Sequence, residues 1–507
     1  MAADDALANL LLRCEQDDLT SGGYEPVASF SAEGRDVFVV SDLHLAEGIA
    51  ADGRYAGTEN FFVDAAFARF LHHVKSRMAQ GRPSLLIING DFVDFMRIRH
   101  VPREGDLADW SQLLIRLGMP RPIDVLRASI SKKEVQHGLK THDYKSVWKL
   151  ARCIEGHSAF FDALADWVAA GHHLVIVRGN HDLEWYWLAV RNYVRLVLAE
   201  RIASSMASSV EDALQQVVFP SLRFVQEAAV IDNTLYVEHG HRYDKFTAVL
   251  GDPVLKNGEE LNIPFGSFFN RYLINHVELV YPYFDNLRPR ENLLPVLIRE
   301  RFFLALRLMF QHVPFALKII PKRYYRYLFG QVLVLALAVG LPVGIMLYQV
   351  VDILAPLFTA ASPPSDGSPV GSFLQEQGGR LLTSTIWLIA SYFLSRLVAY
   401  LQLKSPDSLA RFARKQFETH PTYRFITFGH THTADQFENA GRWFYNTGTW
   451  VPVIEVPTAA VRLDKTYTFL HLRRDASGRL VPGVVRRWHD ASGQTEPLIL
   501  IKHKQQD

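Results

Sequence analysis

YRFITFGHTHTADQF, residues 423–437, is an apolar run that stops at a glycine and delivers two histidines, His430 and His432, one residue apart. In an extended backbone, side chains two apart point to the same side, so both imidazoles could face one ion. Two ligands seldom complete a transition-metal site, so further ligands are expected elsewhere in the chain. Four other apolar runs end in the same manner. RDVFVVSDLHL (35–45) places Asp42 and His44 after β-branched residues, and PSLLIINGDFVDF (83–95) places Asp91 and Asp94 after another run. HHLVIVRGNHDLEW (172–185) presents Asn180, His181 and Asp182, and NTLYVEHGHRYD (233–244) presents His239 and His241. Short apolar runs bounded by glycine or polar residues read as buried strands.

Helical patterns such as ENFFVDAAFARFLHHVKSRMAQ and SAFFDALADWVAAG lie between several of these strands. Strands alternating with helices predict an α/β fold, in which ligands gather beyond the carboxyl ends of the strands. All five polar clusters occupy that position. The chain of 507 residues is long enough for two or three domains. A net charge of +1 supplies no basic field for nucleic acid. The two cysteines, Cys14 and Cys153, are far apart, which points to a reducing compartment and excludes a cysteine-rich zinc site. Acidic residues in MAADDALANLLLRCEQDD stand where a signal peptide would carry positive charge. The histidine pairs at 72–73 and 172–173 read as solvated positions.

Taken singly, each cluster has an ordinary explanation as a helix cap, strand exit, polar turn or solvated loop. In the order DxH, GDxxD, GNHD, HG and GHxH they resemble the calcineurin-like metallophosphoesterase superfamily, over roughly residues 35–245 and 420–455. The resemblance implies an α/β/β/α four-layer sandwich with two divalent metal ions at one edge of its sheets. It implies that Asp42, His44 and His432 hold one ion, that Asn180, His239 and His430 hold the other, and that Asp91 bridges them. His181 would serve as general acid or charge stabiliser, oriented by Asp94. Mixed carboxylate, amide and imidazole ligands suit Mn²⁺ foremost, with Fe, Zn or Co as alternatives. The implied reaction is hydrolysis of a phosphate ester or pyrophosphate by a hydroxide held between two ions, spaced about 3.5–4 Å apart. His241 and Asp244 read either as partners of the ligands or as surface groups. Arg97, Arg99 and His100 read either as phosphate contacts or as a solvated helix start. FYNTGTW (444–450) resembles the closing segment of the family and is expected to pack beside the site.

About 190 residues separate His239 from His430. Within that interval residues 332–351 carry no charge, and LLTSTIWLIASYFLSRLVAYLQL (381–403) carries only Arg396. Each is long enough to span a bilayer at about 1.5 Å per residue. Basic flanks on both sides and a polar loop between them predict a membrane hairpin, with the catalytic part facing the cytoplasm at the inner membrane. Ligands before and after the hairpin must converge, which also requires an even number of crossings. Buried helices of a large domain, or a dimerisation hairpin, are the alternative. Glu300, Arg307, Gln311 and Lys318 form one polar stripe just upstream, as in a helix lying on a bilayer.

The chain therefore divides into a tail (1–34), a first catalytic part (35–250), a helical insertion (251–415) and a second catalytic part (416–507). The expected activity is that of a membrane-anchored phosphoesterase with a phosphoester substrate that the anchor suggests is lipid-linked. In that respect the chain resembles the pyrophosphatases that cleave UDP-diacylglucosamine, from which it departs by having His181 where arginine is expected. Ser/Thr protein phosphatases differ in carrying GDxVDRG and GNHE. A metal-binding scaffold without catalysis, or a protein or nucleotide phosphatase, are the alternatives.

Overall fold

A computed structural model of the chain describes residues 2–13, 27–279 except 51 and 80, 286–288, 408–455, and 460–500 except 499, with isolated residues between 307 and 389. Residues 290–405 form one compact unit, and Met1–Pro289 with Pro406–Asp507 form the other. The second of these contains β1 (Val27–Phe30), β2 (Asp36–Val40), β3 (Ser84–Asn89), β4 (His173–Val177) and β5 (Leu222–Val225). It continues with β6 (Ala228–Ile231), β7 (Leu235–Glu238), β8 (Leu287–Arg288), β9 (Phe425–Phe428), β10 (Asp435–Asn439) and β11 (Arg442–Asn446). Its last strands are β12 (Ile454–Glu455), β13 (Ala460–Val461), β14 (Thr468–Leu472), β15 (Val485–His489) and β16 (Gln494–Pro497).

The fold is mixed α/β, built on two mixed sheets and one small one. Seven strands run in the order β16-β15-β14-β2-β3-β4-β5 and six in the order β1-β6-β7-β9-β11-β10, while β13-β12-β8 form the small sheet. In the first sheet β2, β3, β4 and β5 are parallel neighbours. In the second, β7, β9 and β11 are parallel.

Strand alternation decides which side chains lie between the sheets. Val37 and Val39, Leu85 and Ile87, and Val175 and Val177 pack against Ala229, Ile231, Leu235, Val237 and Phe425 in one apolar layer. Their alternates Phe38, Val40, Leu86, Ile88, Leu174 and Ile176 face outward into a second layer, with Phe67, Phe70, Trp148, Phe160 and Val194. Those residues come from the helices Asp64–His73, Asp143–Gly156, Ser158–Ala169 and Leu188–Met206. On the far side of the six-stranded sheet, Tyr236, Ile426, Phe428 and Phe444 meet Leu409, Ala413 and Phe417 of the helix Ala410–Thr419 and the residue before it. The order is thus helices, sheet, sheet, helix.

Two readings of local sequence change. Residues 1–34 are not merely a tail: Leu7 and Leu11 of the helix Ala2–Arg13 enter the core, and β1 is an edge strand paired with β6. His172 is buried at 4% exposure, stacked on Trp167, and accepts a hydrogen bond from the Ser84 amide. Burial, with Lys75 and Arg35 nearby, pushes its pKa down to about 4.

The multi-pass inner-membrane placement is corrected. Among the described residues no helix is long and apolar enough to cross a membrane. The longest described helix, Leu188–Met206, carries Arg191, Arg195, Glu200 and Arg201 and packs eleven buried residues into the unit. Apart from isolated positions, the stretches 332–351 and 381–403 that carry the expectation, and the amphipathic segment before them, lie outside the described residues. The inserted hairpin accordingly has no support in the fold.

One buried charge cluster holds the helical layer to the loop after β2. Glu59 accepts from the amides of Ala46, Gly48, Asn60 and Phe61, and His157 lies 3.1 Å from Glu59 and 2.9 Å from Asp64. Burial opposes a charged His157, but the two carboxylates outweigh it and push its pKa up to about 9. Protonation thus favours the folded state. The contribution is complete below the unfolded-state value of about 6.5 and is lost as pH rises through about 9, a change on the order of 3 kcal/mol. Denaturant unfolding should show wild type more stable than His157→Gln near pH 6, with the gap closing as pH approaches about 9. A gap constant over that interval would show that the charge on His157 contributes nothing.

Candidate metal centre

Each of the five polar clusters begins where a strand ends. Adjacent placement of β2, β3 and β4 sets Ser41–His44, Gly90–Asp94 and Gly179–Asp182 side by side. Adjacent placement of β7 and β9 does the same for His239–His241 and Gly429–His432. The sheets meet at this end: Asn89 donates from its side chain to the Glu238 carbonyl, and the His430 amide lies 3.0 Å from Asp42 Oδ2.

Three overlapping groups of buried ligand-type side chains result: Asp42, His44 and His432; Asp91, His239 and His430; and His44, Asp91 and His181. In the first, His44 Nε2 lies 3.0 Å from His432 Nε2 and 4.0 Å from Asp42 Oδ1, which is 3.3 Å from His432 Nε2. Ligands held about 2.1 Å from one ion in tetrahedral or octahedral geometry sit about 3.0–3.4 Å apart, so the two spacings to His432 fit a cation and the 4.0 Å one is longer. In the second, His239 Nε2 lies 3.1 Å from Asp91 Oδ2, and the His239 and His430 rings are 5.4 Å apart. Asp91 Oδ2 is also 3.6 Å from His44 Nε2, so this carboxylate touches both groups. The buried His and Asp groups could hold metal ions. Asn180 is buried on the loop between Gly179 and His181, and its Oδ1 has no hydrogen bond among the described residues.

His430 and His432 face different groups, not one ion as extended backbone would have allowed. Their φ angles are +69° and +57°, so the chain turns there in place of continuing β9. Asp42, His44 and Asp91 share this conformation, at φ +54°, +51° and +51°. Five of the expected ligands thus sit in the left-handed region, where non-glycine residues are uncommon and cost on the order of 1–3 kcal/mol each. Surrounding hydrogen bonds over-determine these turns. The carbonyl of Asp91 accepts from the amides of Leu43 and His44, and that of Asp42 accepts from Thr449 Oγ1 and the Trp450 amide. Asn446 binds the Gly429 carbonyl, and Ser41 Oγ is 2.7 Å from Thr447 Oγ1. The segment 446–450 therefore packs beside the site and locks two of its loops.

Tautomers are set from outside. His239 Nδ1 lies 2.9 Å from the Asn89 carbonyl, which turns Nε2 toward Asp91. His44 Nδ1 lies 3.3 Å from Asp94 Oδ2, turning Nε2 toward His432. Asp94 Oδ2 is also 2.8 Å from His181 Nδ1 and 3.0 Å from Arg97 Nε, so one oxygen serves two imidazoles and a guanidinium. His430 uses its other edge, with Nε2 3.4 Å from Asp244 and 3.3 Å from Thr247 Oγ1.

The electrostatics follow from burial and pairing. Burial raises the Asp42 pKa, but His239 and His432 outweigh it and bring it down to about 2. Burial likewise works against Asp91 and Asp94, yet His239 and His181 hold the first, and His181, His44 and Arg97 the second, well below the usual carboxylate range. Against the cost of burial, Asp91 and Asp42 push His239 up to about 10.

Several residues take a definite place. His241 and Asp244 are buried, not surface groups, and Asp244 backs His430. Arg97 is fully buried and paired with Asp94 and Glu278, which leaves the solvated helix start behind. His100 pairs with Asp106 at the surface, and Arg99 binds the Gln136 carbonyl. Asp182 was read only as part of the GNHD cluster, yet its carboxylate accepts from the amides of Gly179 and Phe92 and ties two loops together. Glu278 carries no local signal, because its partner lies 181 positions away.

No protein-family model and no curated protein sequence matches this chain.

Two glycines make the close approach possible. At Gly90, with φ +78°, a Cβ would lie 2.4 Å from the His239 ring, and at Gly179 it would lie 2.2 Å from Asp91 Oδ1. Gly179→Ala should therefore displace Asp91 and weaken Mn²⁺ binding by about tenfold or more, while the far-UV circular dichroism stays that of wild type. A Mn²⁺ titration followed by electron paramagnetic resonance checks this. Unchanged affinity would remove Asp91 from the cation site.

Proposed function

We propose that the chain is a metal-dependent phosphoric ester hydrolase of the calcineurin-like metallophosphoesterase kind, using two divalent cations with Mn²⁺ foremost. The observation that supports this reading is the pairing of two buried His/Asp groups around Asp91, with the His181–Asp94 pair directly beside them. The order of helices, sheet, sheet and helix, with every cluster at a strand's carboxyl end, agrees with the α/β/β/α sandwich such enzymes adopt.

Two divalent cations at these groups would withdraw charge from a phosphoryl group and lower the pKa of a water toward about 7. The rest of the work belongs to the chain. Asp42 and Asp91 would offset cationic charge in a buried setting, and Asn180 adds a neutral oxygen whose lone pairs meet no donor among the described residues. Asn89 and Asp94 hold His239 and His44 in the tautomer whose Nε2 accepts a cation. His181, with Nδ1 held by Asp94, would deliver a proton from Nε2 to the leaving alcohol oxygen. His181 and His432, at 8% and 7% exposure, are the least buried of the set, so substrate would approach from their side. The lipid-linked substrate was drawn from the membrane spans and forms no part of this reading.

Purified protein assayed with Mn²⁺ on an aryl phosphate monoester and diester should turn over at least one of them. Asp91→Ala should abolish that turnover. His181→Ala should retain wild-type Mn²⁺ content while losing about 10²–10⁴-fold in kcat, the range for a general acid. Metal content measured with turnover separates the outcomes. Wild type that binds two Mn²⁺ yet leaves both esters intact would favour a metal-binding scaffold.

A further inference from the structure

The helical segment from Phe265 to Glu278 lies against the loops of the metal centre through three buried side chains. Ser267 Oγ donates to the carbonyl of Asn180 at 3.2 Å, and Asn275 Nδ2 donates to the carbonyl of Met96 at 2.7 Å. Glu278 forms an ion pair with Arg97, whose Nη1 and Nη2 both face its carboxylate. Ser267, Asn275, Glu278 and Arg97 are each exposed by 5% or less. The segment widens from α-helix to a π turn over Asn270–Ile274 before returning to α-helix at Asn275, a distortion often found where a helix serves a site.

Arg97 divides its fork between two carboxylates. Its Nε binds Asp94 Oδ2 at 3.0 Å while its other nitrogens meet Glu278. That division matters because Asp94 Oδ2 also receives His181 Nδ1 and His44 Nδ1. Arg97 Nη1 also lies 3.4 Å from the Thr58 carbonyl, but without Glu278 the guanidinium would turn more of its fork onto Asp94, the bidentate arrangement it prefers, and would compete with both imidazoles for that oxygen.

We propose that Phe265–Glu278 is a positioning clamp for the metal centre, in which Glu278 restrains Arg97 so that Asp94 can orient His44 and His181, while Ser267 fixes the Asn180 loop. The clamp rests on the metal-centre reading, but its first readout is cation affinity and needs no turnover. Glu278 is a positioning residue, since it reaches the candidate ligands only through Arg97 and Asp94.

Breaking one member of a buried ion pair can unfold a protein, whereas replacing both by apolar residues is often tolerated. The test therefore uses Glu278→Gln, a near-isosteric change that keeps Arg97 and releases its fork, with Arg97→Met and Glu278→Leu together as the control that removes the competing guanidinium. Folding is followed by circular dichroism and thermal melting, Mn²⁺ affinity by titration, and kcat and KM with the aryl phosphate that wild type cleaves. The clamp predicts that Glu278→Gln melts near wild type yet binds Mn²⁺ about 10–100-fold more weakly, the range for lost partners of metal ligands. It also predicts a lower kcat at saturating Mn²⁺ with little change in KM for Glu278→Gln, and Mn²⁺ affinity closer to wild type in the double variant, where no guanidinium competes for Asp94. A folded Glu278→Gln with wild-type Mn²⁺ affinity, or a folded double variant as weak as Glu278→Gln, would overturn the proposal and reduce the pair to core packing. If Glu278→Gln does not fold, wild-type affinity in Ser267→Ala overturns the clamp instead. Wild type that binds Mn²⁺ without turnover would defeat the hydrolase reading and leave the clamp to be judged by affinity alone.

Discussion

Of the buried carboxylates in one cluster of loops, those of Asp42, Asp91 and Asp94 lie closest to the imidazoles, and the arrangement of the unit depends on what compensates them. A buried, unpaired carboxylate is strongly unfavourable and would take up a proton instead. Here imidazoles and a guanidinium come close enough to outweigh burial at all three. No single loop could supply those partners. Asp42 needs His432 from a loop nearly four hundred positions later, Asp91 needs His239, and Asp94 needs His181 and Arg97. The two sheets satisfy the requirement by ending five strands at one place.

This explains why the rigid part of the fold is arranged as it is. The valines, leucines and isoleucines of β2, β3 and β4 alternate between two apolar layers, so the pleat is held on both faces and the strand ends are fixed. Beyond each strand end the backbone turns tightly, and five of the turning residues bear candidate ligand side chains. Backbone strain there persists because neighbouring loops bind the same carbonyls and amides from outside. Asp182, Thr449 and Asn446 do this for three different loops. The strain and the hydrogen bonds belong to one design: the turns aim the side chains inward, and the bonds keep the turns.

Much of this was legible in the chain because it is local. A short apolar run followed by Asp, Asn or His is visible without knowing any partner, and β2, β3, β4, β7 and β9 all share that pattern. What escaped is non-local or depends on burial. Arg97 looked like a solvated residue because Glu278 lies far along the chain, in a segment read only as helical insertion. His172 resembled a loop histidine, since nothing in the sequence indicates that Trp167 stacks upon it. The strand β1 is four residues long and pairs with β6 some two hundred positions away, so it fell within the segment read as a tail. Hydropathy, basic flanks and a polar loop between them suggest membrane spans, and none of these distinguishes a helix facing lipid from one facing protein.

The imidazoles themselves show that the centre is arranged by the protein. His44 and His239 each have Nδ1 engaged by a fixed acceptor, the Asp94 carboxylate in one case and the Asn89 carbonyl in the other. Each ring is therefore oriented by a bond that points away from the centre, and Nε2 is presented inward. His430 has the opposite polarity, with Nε2 engaged by Asp244 and Thr247. Two histidines a residue apart can serve different groups only if their rings are held by different neighbours, and that is the arrangement here: His430 leans on the 241–247 turn, whereas His432 meets His44 and Asp42. A cation bound at such a centre would have little left to organise, and its affinity would depend on how firmly these outer partners are themselves held. For His44 that support passes through Asp94 to Arg97, and from there to Glu278.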